Sequence, residues 1–142
     1  MNILCDALTW LTVPAHWLGE SGILVRATEH LGLTLLIVAL AALIALPLGT
    51  WIGHTGRGRW LVSATGAARA VPTLGVLTLA GLWLGIGLAA PTLALLVLAI
   101  PPLLSATYSG IASTPHATVD AARAIGLTEK QVLAQVEAPH AA

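Results

Sequence analysis

The residues able to carry chemistry are few and scattered. Five histidines, His16, His30, His54, His116 and His140, stand apart in the sequence, without the short ligand spacings or cysteine partners of a metal site. Cys5 is the sole cysteine, so no disulfide framework can form within the chain. It stands too early to accept a lipid anchor, and no basic residue precedes Arg26, so a cleaved leader is not expected. His116 and Asp120 are four apart and share a helical face, which reads as a surface pair rather than a base beside a nucleophile. No G-x-x-x-x-G-K-S/T phosphate loop occurs: the glycines around Arg57 lack the lysine, and Gly85-Ile86-Gly87 lacks a third glycine. The expectation is a protein that is not an enzyme and holds neither cofactor nor metal. One further group is the hydroxyls Ser105, Thr107 and Tyr108, just after Pro101-Pro102. A proline pair is expected to break an apolar helix there, and broken helices line transporter cavities. Equally, the hydroxyls could bond backbone carbonyls beside a purely structural kink.

The elements that must position these groups are dictated by an apolar chain. Of 142 residues, 57% are hydrophobic and 8% charged, six basic against six acidic. Soluble domains carry about a quarter charged residues. From His30 to Val119 the only charges are Arg57, Arg59 and Arg69, too few to clothe a water-soluble globule. Zero net charge leaves no basic footprint for nucleic acid. The chain therefore reads as a membrane protein in contact with the lipid bilayer.

A hydrocarbon core about 30 Å thick takes roughly 20 helical residues. Leu31 to Gly53 is uncharged and forms the first expected span, with Pro47 tolerated inside it. Ala70 to Pro115 is uncharged and long enough for two crossings, cut by the turn residues Gly85 to Pro91. Spans are expected near 70–86 and 92–112, with Trp60 to Ala68 as a helical lead-in at the interface. Arg69 would snorkel to the headgroups or pair inside a bundle. Gly49-x-x-x-Gly53 and Gly81-x-x-x-Gly85 are small-residue packing patterns, serving contacts within the chain or between two copies. Arg57, Arg59, Arg123 and Lys130 flank one side of these spans and Arg26 the other. The excess of basic residues predicts an outside N-terminus and a cytoplasmic tail. Trp10, Trp17, Trp51 and Trp60 suit an interfacial belt.

The tail is the most structured text in the chain. Thr114-Pro115 reads as an N-cap followed by proline at the first helical position, opening a helix over His116–Ile125 that Gly126 ends in a left-handed conformation. Thr128 and Gln131 form a capping box for a second helix that stops at Pro139. Val119, Ala122 and Ile125 recur at threes, and Val132 and Val136 at four. They form either a face folded back on the membrane or a ridge offered to a partner's groove.

Asp120-Ala121-Ala122, three residues, Gly126, nine residues, Val136, one residue, Ala138-Pro139 resembles the EAA loop of binding-protein-dependent ABC importer permeases. That loop reads Glu-Ala-Ala, three, Gly, nine, Ile, one, Leu-Pro. The departures are Asp120, Val136 and Ala138. The stretches from Leu46 to Gly58, from Arg69 to Gly75, Ala99 to Pro102 and Thr107 to Ile111 are similar to permeases for glycine betaine, choline and related osmoprotectants.

The resemblance implies an all-α, polytopic membrane fold. An extracytoplasmic or interfacial segment, 1–30, would precede a partial permease domain, 31–142, with the three spans above and a coupling loop at 113–139. It implies residence in the cell (inner) membrane and import of glycine betaine or a related osmoprotectant by alternating access. It also implies a cytoplasmic ABC ATPase subunit that docks the coupling residues Asp120, Ala121, Ala122, Gly126, Val136 and Pro139. A second permease subunit, identical or not, and an extracytoplasmic solute-binding protein are the other implied partners. Other readings are a permease for another small solute, such as an amino acid, and a non-transporting membrane scaffold. Such permeases continue with further spans past this loop, so a C-terminally truncated permease is expected.

Overall fold

The computed structural model describes residues 3–68 and 70–141. Arg69, expected to snorkel or pair, lies outside the described residues. The chain divides into two compact units, 1–36 and 37–142, and every described regular element is helical.

In the first unit, α1 (Ile3–Thr12) is followed by a 3₁₀ turn, Pro14–His16. Pro14 fixes φ and removes a donor, so α1 cannot continue, and side chains take up its last carbonyls. His16 Nδ1 donates to Trp10 O at 2.7 Å, and Trp17 Nε1 donates to Leu11 O at 2.7 Å. The His16 ring stacks on Trp10, centroids 4.1 Å apart. Helix α2 (Ile23–Thr55) begins inside the expected N-terminal segment, eight residues before the first span.

At 33 residues and 1.5 Å per residue, α2 is about 50 Å long, well beyond the hydrocarbon thickness. Its buried residues Ile37, Ala41, Ala45, Gly49 and Ile52 fall at steps of four and three, a single stripe along the helix. Pro47 lies outside that stripe, with the helix continuous through it. Thr50 Oγ1 donates to both Leu46 O and Pro47 O at 2.9 Å.

Positive φ at Gly56 (67°) and Gly58 (78°) turns the chain into α3 (Arg59–Ala68), the expected lead-in helix. The expected second span is cut down. Proline at position 72 caps α4 (Thr73–Leu84), which Gly85 ends with φ 78° after only 12 residues. That is about 18 Å, short of a crossing by itself. The expected third span is α5 (Ala89–Ala112), 24 residues and about 36 Å. Since α2 and α5 run parallel, with Gly53 against Ile111 at their C-terminal ends, α3 and α4 in succession make the return. Among the described residues two helices, α2 and α5, are thus each long and apolar enough to cross a membrane. Their outward faces are rich in exposed apolar side chains such as Leu35, Leu43 and Val97.

The proline pair does not break α5: both prolines lie inside a continuous helix, Pro101 buried and Pro102 exposed. Helices α2 and α5 meet through glycine. A Cβ on Gly49 would lie 2.7 Å from Thr107 Cβ, and one on Gly53 2.7 Å from Ile111 Cβ. Only a missing side chain permits that approach. Ala45, Ile52 and Leu104 form the core beside it, flanked by Leu61 and Val62 of α3 and by Tyr108. Around Gly81 and Gly85 a Cβ would meet nothing within 4 Å, so the second glycine pair makes no helix contact among the described residues.

Candidate functional site

The tail after α5 folds as a helix, a corner and a helix. Helix α6 (His116–Ala124) is capped by Pro115 rather than Thr114. The Thr114 hydroxyl is buried and has no hydrogen-bond partner, so the expected cap is displaced by one residue. Its φ of −59° and ψ of 130° place Pro115 just outside the helix, in the non-helical backbone of an N-cap position. At the other end, Gly126 N–H bonds Arg123 O at 2.9 Å and Leu127 N–H bonds Ala122 O at 3.2 Å. With Gly126 at φ 89°, this is the Schellman geometry in which a left-handed glycine closes the last turn.

The second piece starts at α7 (Glu129–Val132), widens into a π-helical turn (Leu133–Glu137), and ends in α8 (Ala138–Ala141). Gln131 Oε1 accepts from the Thr128 backbone N–H at 2.9 Å and from its hydroxyl at 2.8 Å, the reach-back of a capping box. Pro139 does not stop this helix. A proline clashes with the carbonyl four residues back, and here the wider turn immediately before it relieves that clash. The end of α8 returns to α5, where a Cβ on Gly110 would lie 3.0 Å from Ala141 Cβ.

The apolar spacing of the tail faces inward. Val119, Ala122 and Val132 are buried against one another, with Leu127 and Val136 packed on them. The ridge expected to meet a partner is therefore the tail's own small core. Ile125 alone of that series turns outward and is 79% exposed. Among the coupling residues, Asp120, Ala121, Gly126 and Pro139 are exposed, Val136 is half-buried and Ala122 is buried. The outer surface of the corner is thus Ala121, Ile125 and Gly126, with Asp120 alongside. A protruding isoleucine between small residues is a shape that can enter an apolar slot on another protein.

Charges tie the two helices across the corner. Arg123 Nε and Nη2 donate to the two oxygens of Glu129, each at 3.0 Å, in a fork-to-fork pair. These hydrogen bonds hold the Glu129 carboxyl below the usual carboxylate range and raise the Arg123 guanidinium. Asp120 lies 3.7 Å from Arg123, three residues away, so its contact is with that arginine rather than the expected His116. A third tie leads back to α2. His54 Nδ1 donates to Glu137 Oε2 at 2.6 Å, and Nε2 faces Glu129 Oε2 at 3.1 Å. A cavity of about 280 Å³ opens beside this group, lined also by Arg59 and His116. Sequence reasoning missed His54 because 83 residues separate it from Glu137; its position beside the arginine loop was the only hint.

The hydroxyl residues expected to line a pathway, Ser105, Thr107 and Tyr108, all lie half-buried on α5. Thr107 Oγ1 donates to Leu103 O at 2.8 Å, and its methyl lies against Gly49. Tyr108 packs on the core formed by Ala45, Ile52 and Leu104, and Ser105 is half-buried on the same helix. This is the backbone-bonded alternative for Thr107.

Residues 7–142 match the family profile described as "binding-protein-dependent transport system inner membrane component". The chain is 33% identical over 141 residues to the choline transport system permease protein OpuBD of Bacillus subtilis, covering 98% of this chain and 60% of that relative. It is 32% identical over 112 residues to the glycine betaine/carnitine/choline transport system permease protein OpuCD of the same organism, covering 78% and 49%. To the osmoprotectant import permease protein OsmY of Salmonella typhimurium it is 32% identical over 116 residues, covering 80% and 49%. The chain thus spans between about half and 60% of the length of these relatives. No solved structure gives a significant match.

Proposed function

This chain belongs to the family of binding-protein-dependent transport system inner membrane components, and from that premise we propose that it serves as the permease subunit of an ATP-driven importer for a quaternary-amine osmoprotectant. Choline stands in the names of both Bacillus relatives, and glycine betaine and carnitine in the second; all three are trimethylammonium compounds, which supports that solute class. ATP is bound and hydrolysed by a separate cytoplasmic ATPase, a second permease subunit completes the pathway, and an extracytoplasmic binding protein delivers the solute. Arg57, Arg59, Arg123 and Lys130 on one side of the spans support a cytoplasmic corner and an outside N-terminus.

The observation that carries the reading is the corner itself. The Asp120–Pro139 spacing folds into a capped, glycine-closed elbow straight after a membrane-crossing helix, with Ile125 exposed at its bend. In this reading Asp120, Ala121, Ile125 and Gly126 meet the ATPase. Ala122, Val136 and Pro139 hold the elbow's shape from within or behind. Movement of the ATPase is passed through this elbow to α2 and α5.

Capture of the partner ATPase tests it. Ile125→Glu changes only an exposed side chain and is expected to abolish co-purification with the ATPase and solute-stimulated ATP hydrolysis, while the chain still inserts and folds. Lys130→Ala, on the far helix, is expected to leave both intact. Full ATPase capture by the Ile125→Glu protein would sink the docking assignment.

A further inference from the structure

The tail carries one acid that its apolar core does not use. Glu137 has a side chain only 7% exposed, and His54, in the last turn of α2 and 14% exposed, donates from Nδ1 to its Oε2 at 2.6 Å. Enclosing such a pair gains little stability, since both groups give up water, yet removing one partner strands the other. Its use lies in fixing how two elements sit. Glu129 is not part of the link. It stands 3.1 Å from Nε2 without hydrogen-bond geometry, and is forked to Arg123 instead.

Backbone geometry delivers this acid. Val132 is buried in the tail's core, and Glu137 follows five residues later. In an α-helix five residues turn about 140° past a full circle, which would carry Glu137 to the side away from Val132. The turn Leu133–Glu137 is π-helical, and the Ala138 N–H reaches back five residues to Leu133 O. Bonds of that span bring residues five apart towards one face, so both Val132 and Glu137 point inward. Pro139 holds the turn wide, because its ring would clash with the carbonyl four residues back in a tighter one. The tail reaches α5 through the continuous chain and again where Ala141 meets Gly110. Between α2 and α5, bare glycine faces Thr107 and Ile111, and the Thr107 hydroxyl bonds within its own helix. Packed helices can slide along such a seam. His54 and Glu137 join α2 to the tail directly.

We propose that Glu137 and His54 are a positioning pair, aimed by the widened turn before Pro139, which fastens the elbow to the end of α2 so that a displacement of the elbow moves both crossing helices together. The displacement rests on the docking of an ATPase proposed above; the fastening is a property of this chain alone.

Amide exchange of the full chain in lipid nanodiscs tests the fastening, read over the last turn of α2 and over Leu133–Glu137. Glu137→Ala and His54→Ala are each expected to quicken exchange in both segments about tenfold, the scale of one hydrogen bond to a charged group. The double variant should exchange no faster than His54→Ala alone, because the two changes remove the same contact. His54→Asn keeps an N–H on the atom bonded to Cγ and should stay within about twofold of the wild type. His54→Leu fills the space without a donor and should behave like His54→Ala. Pro139→Ala lets the turn tighten, and should loosen the last turn of α2 as Glu137→Ala does. In the assembled importer, both alanine variants should still capture the ATPase but lose solute-stimulated hydrolysis, which His54→Asn retains. A wild-type chain that captures no ATPase would end the docking reading and leave the exchange results to decide the fastening. Single effects that multiply in the double variant, rescue by leucine but not by asparagine, or full solute stimulation in an ATPase-bound alanine variant overturns the proposal.

Discussion

The junction of α2 with α5 and the elbow of the tail both hold two helices together, yet they use opposite means. At the junction, Gly49 and Gly53 remove side chains so that Thr107 and Ile111 can sit against bare backbone. In the elbow, Val119, Ala122 and Val132 add side chains to build a core, the Arg123–Glu129 ion pair closes its rim, and His54 hydrogen-bonds Glu137 beside it. Solvent explains the contrast. Lipid tails are as apolar as leucine, so burying more leucine gains nothing there and close van der Waals fit must do the work. Where water reaches the surface, burial of apolar area is itself favourable, and ion pairs can close the rim.

The comparison predicts how each region breaks. The largest effect is expected from Gly53→Leu, whose side chain would enter space already filled by Ile111; overpacking of about 3 kcal/mol should separate α2 from α5 in a denaturant titration in detergent micelles. The same change at Gly81, where a Cβ meets nothing within 4 Å, should leave that titration unmoved, and a matching loss would erase the distinction between the two glycine pairs. Val132→Ala, at a fully buried site, is expected to cost about 2 kcal/mol, read as faster amide exchange in α6 and α7 while the α2–α5 contact persists. Gly126→Ala is smaller. With no neighbour to meet, its cost is the left-handed backbone alone, about 1 kcal/mol, seen in the same exchange profile.

The smallest effect concerns acid. The folded-state carboxyl of Glu129 is held low, chiefly by its hydrogen bonds to Arg123. Its contribution is therefore complete above the ordinary carboxylate range and is lost as pH falls through the depressed folded value. Because the pair is exposed, the tail should loosen only slightly, and Arg123→Gln should remove this acid limb from the exchange profile. A wild-type tail that loosens strongly on acidification would overturn this account of the Arg123–Glu129 pair.

Local features were open to reading before any coordinates. The capping box at Thr128 and Gln131, the left-handed Gly126, and α6 itself follow from neighbouring residues whose backbone preferences agree. Prolines misled in one direction. Pro101-Pro102 stays inside α5, and Pro139 lies within the last turn, since packing and a widened turn can absorb a missing donor. Pro72, with no such support, does restrict α4 to 12 residues. The inward turn of Val119 and Ala122 was equally hidden, since periodicity shows that a helix has an apolar face but not what that face meets.

By itself the sequence determined that this chain is apolar enough to live in a bilayer, where its long helices run, and that a glycine-closed elbow follows the last of them. Each of those properties is fixed within a few residues or within one helix length. Tertiary structure alone decided which glycine pair becomes a contact, that Ile125 rather than Val119 or Ala122 faces outward, and that His54 meets Glu137 from the far end of the chain. Those outcomes depend on how separate helices approach one another, and no local pattern records the distance between them.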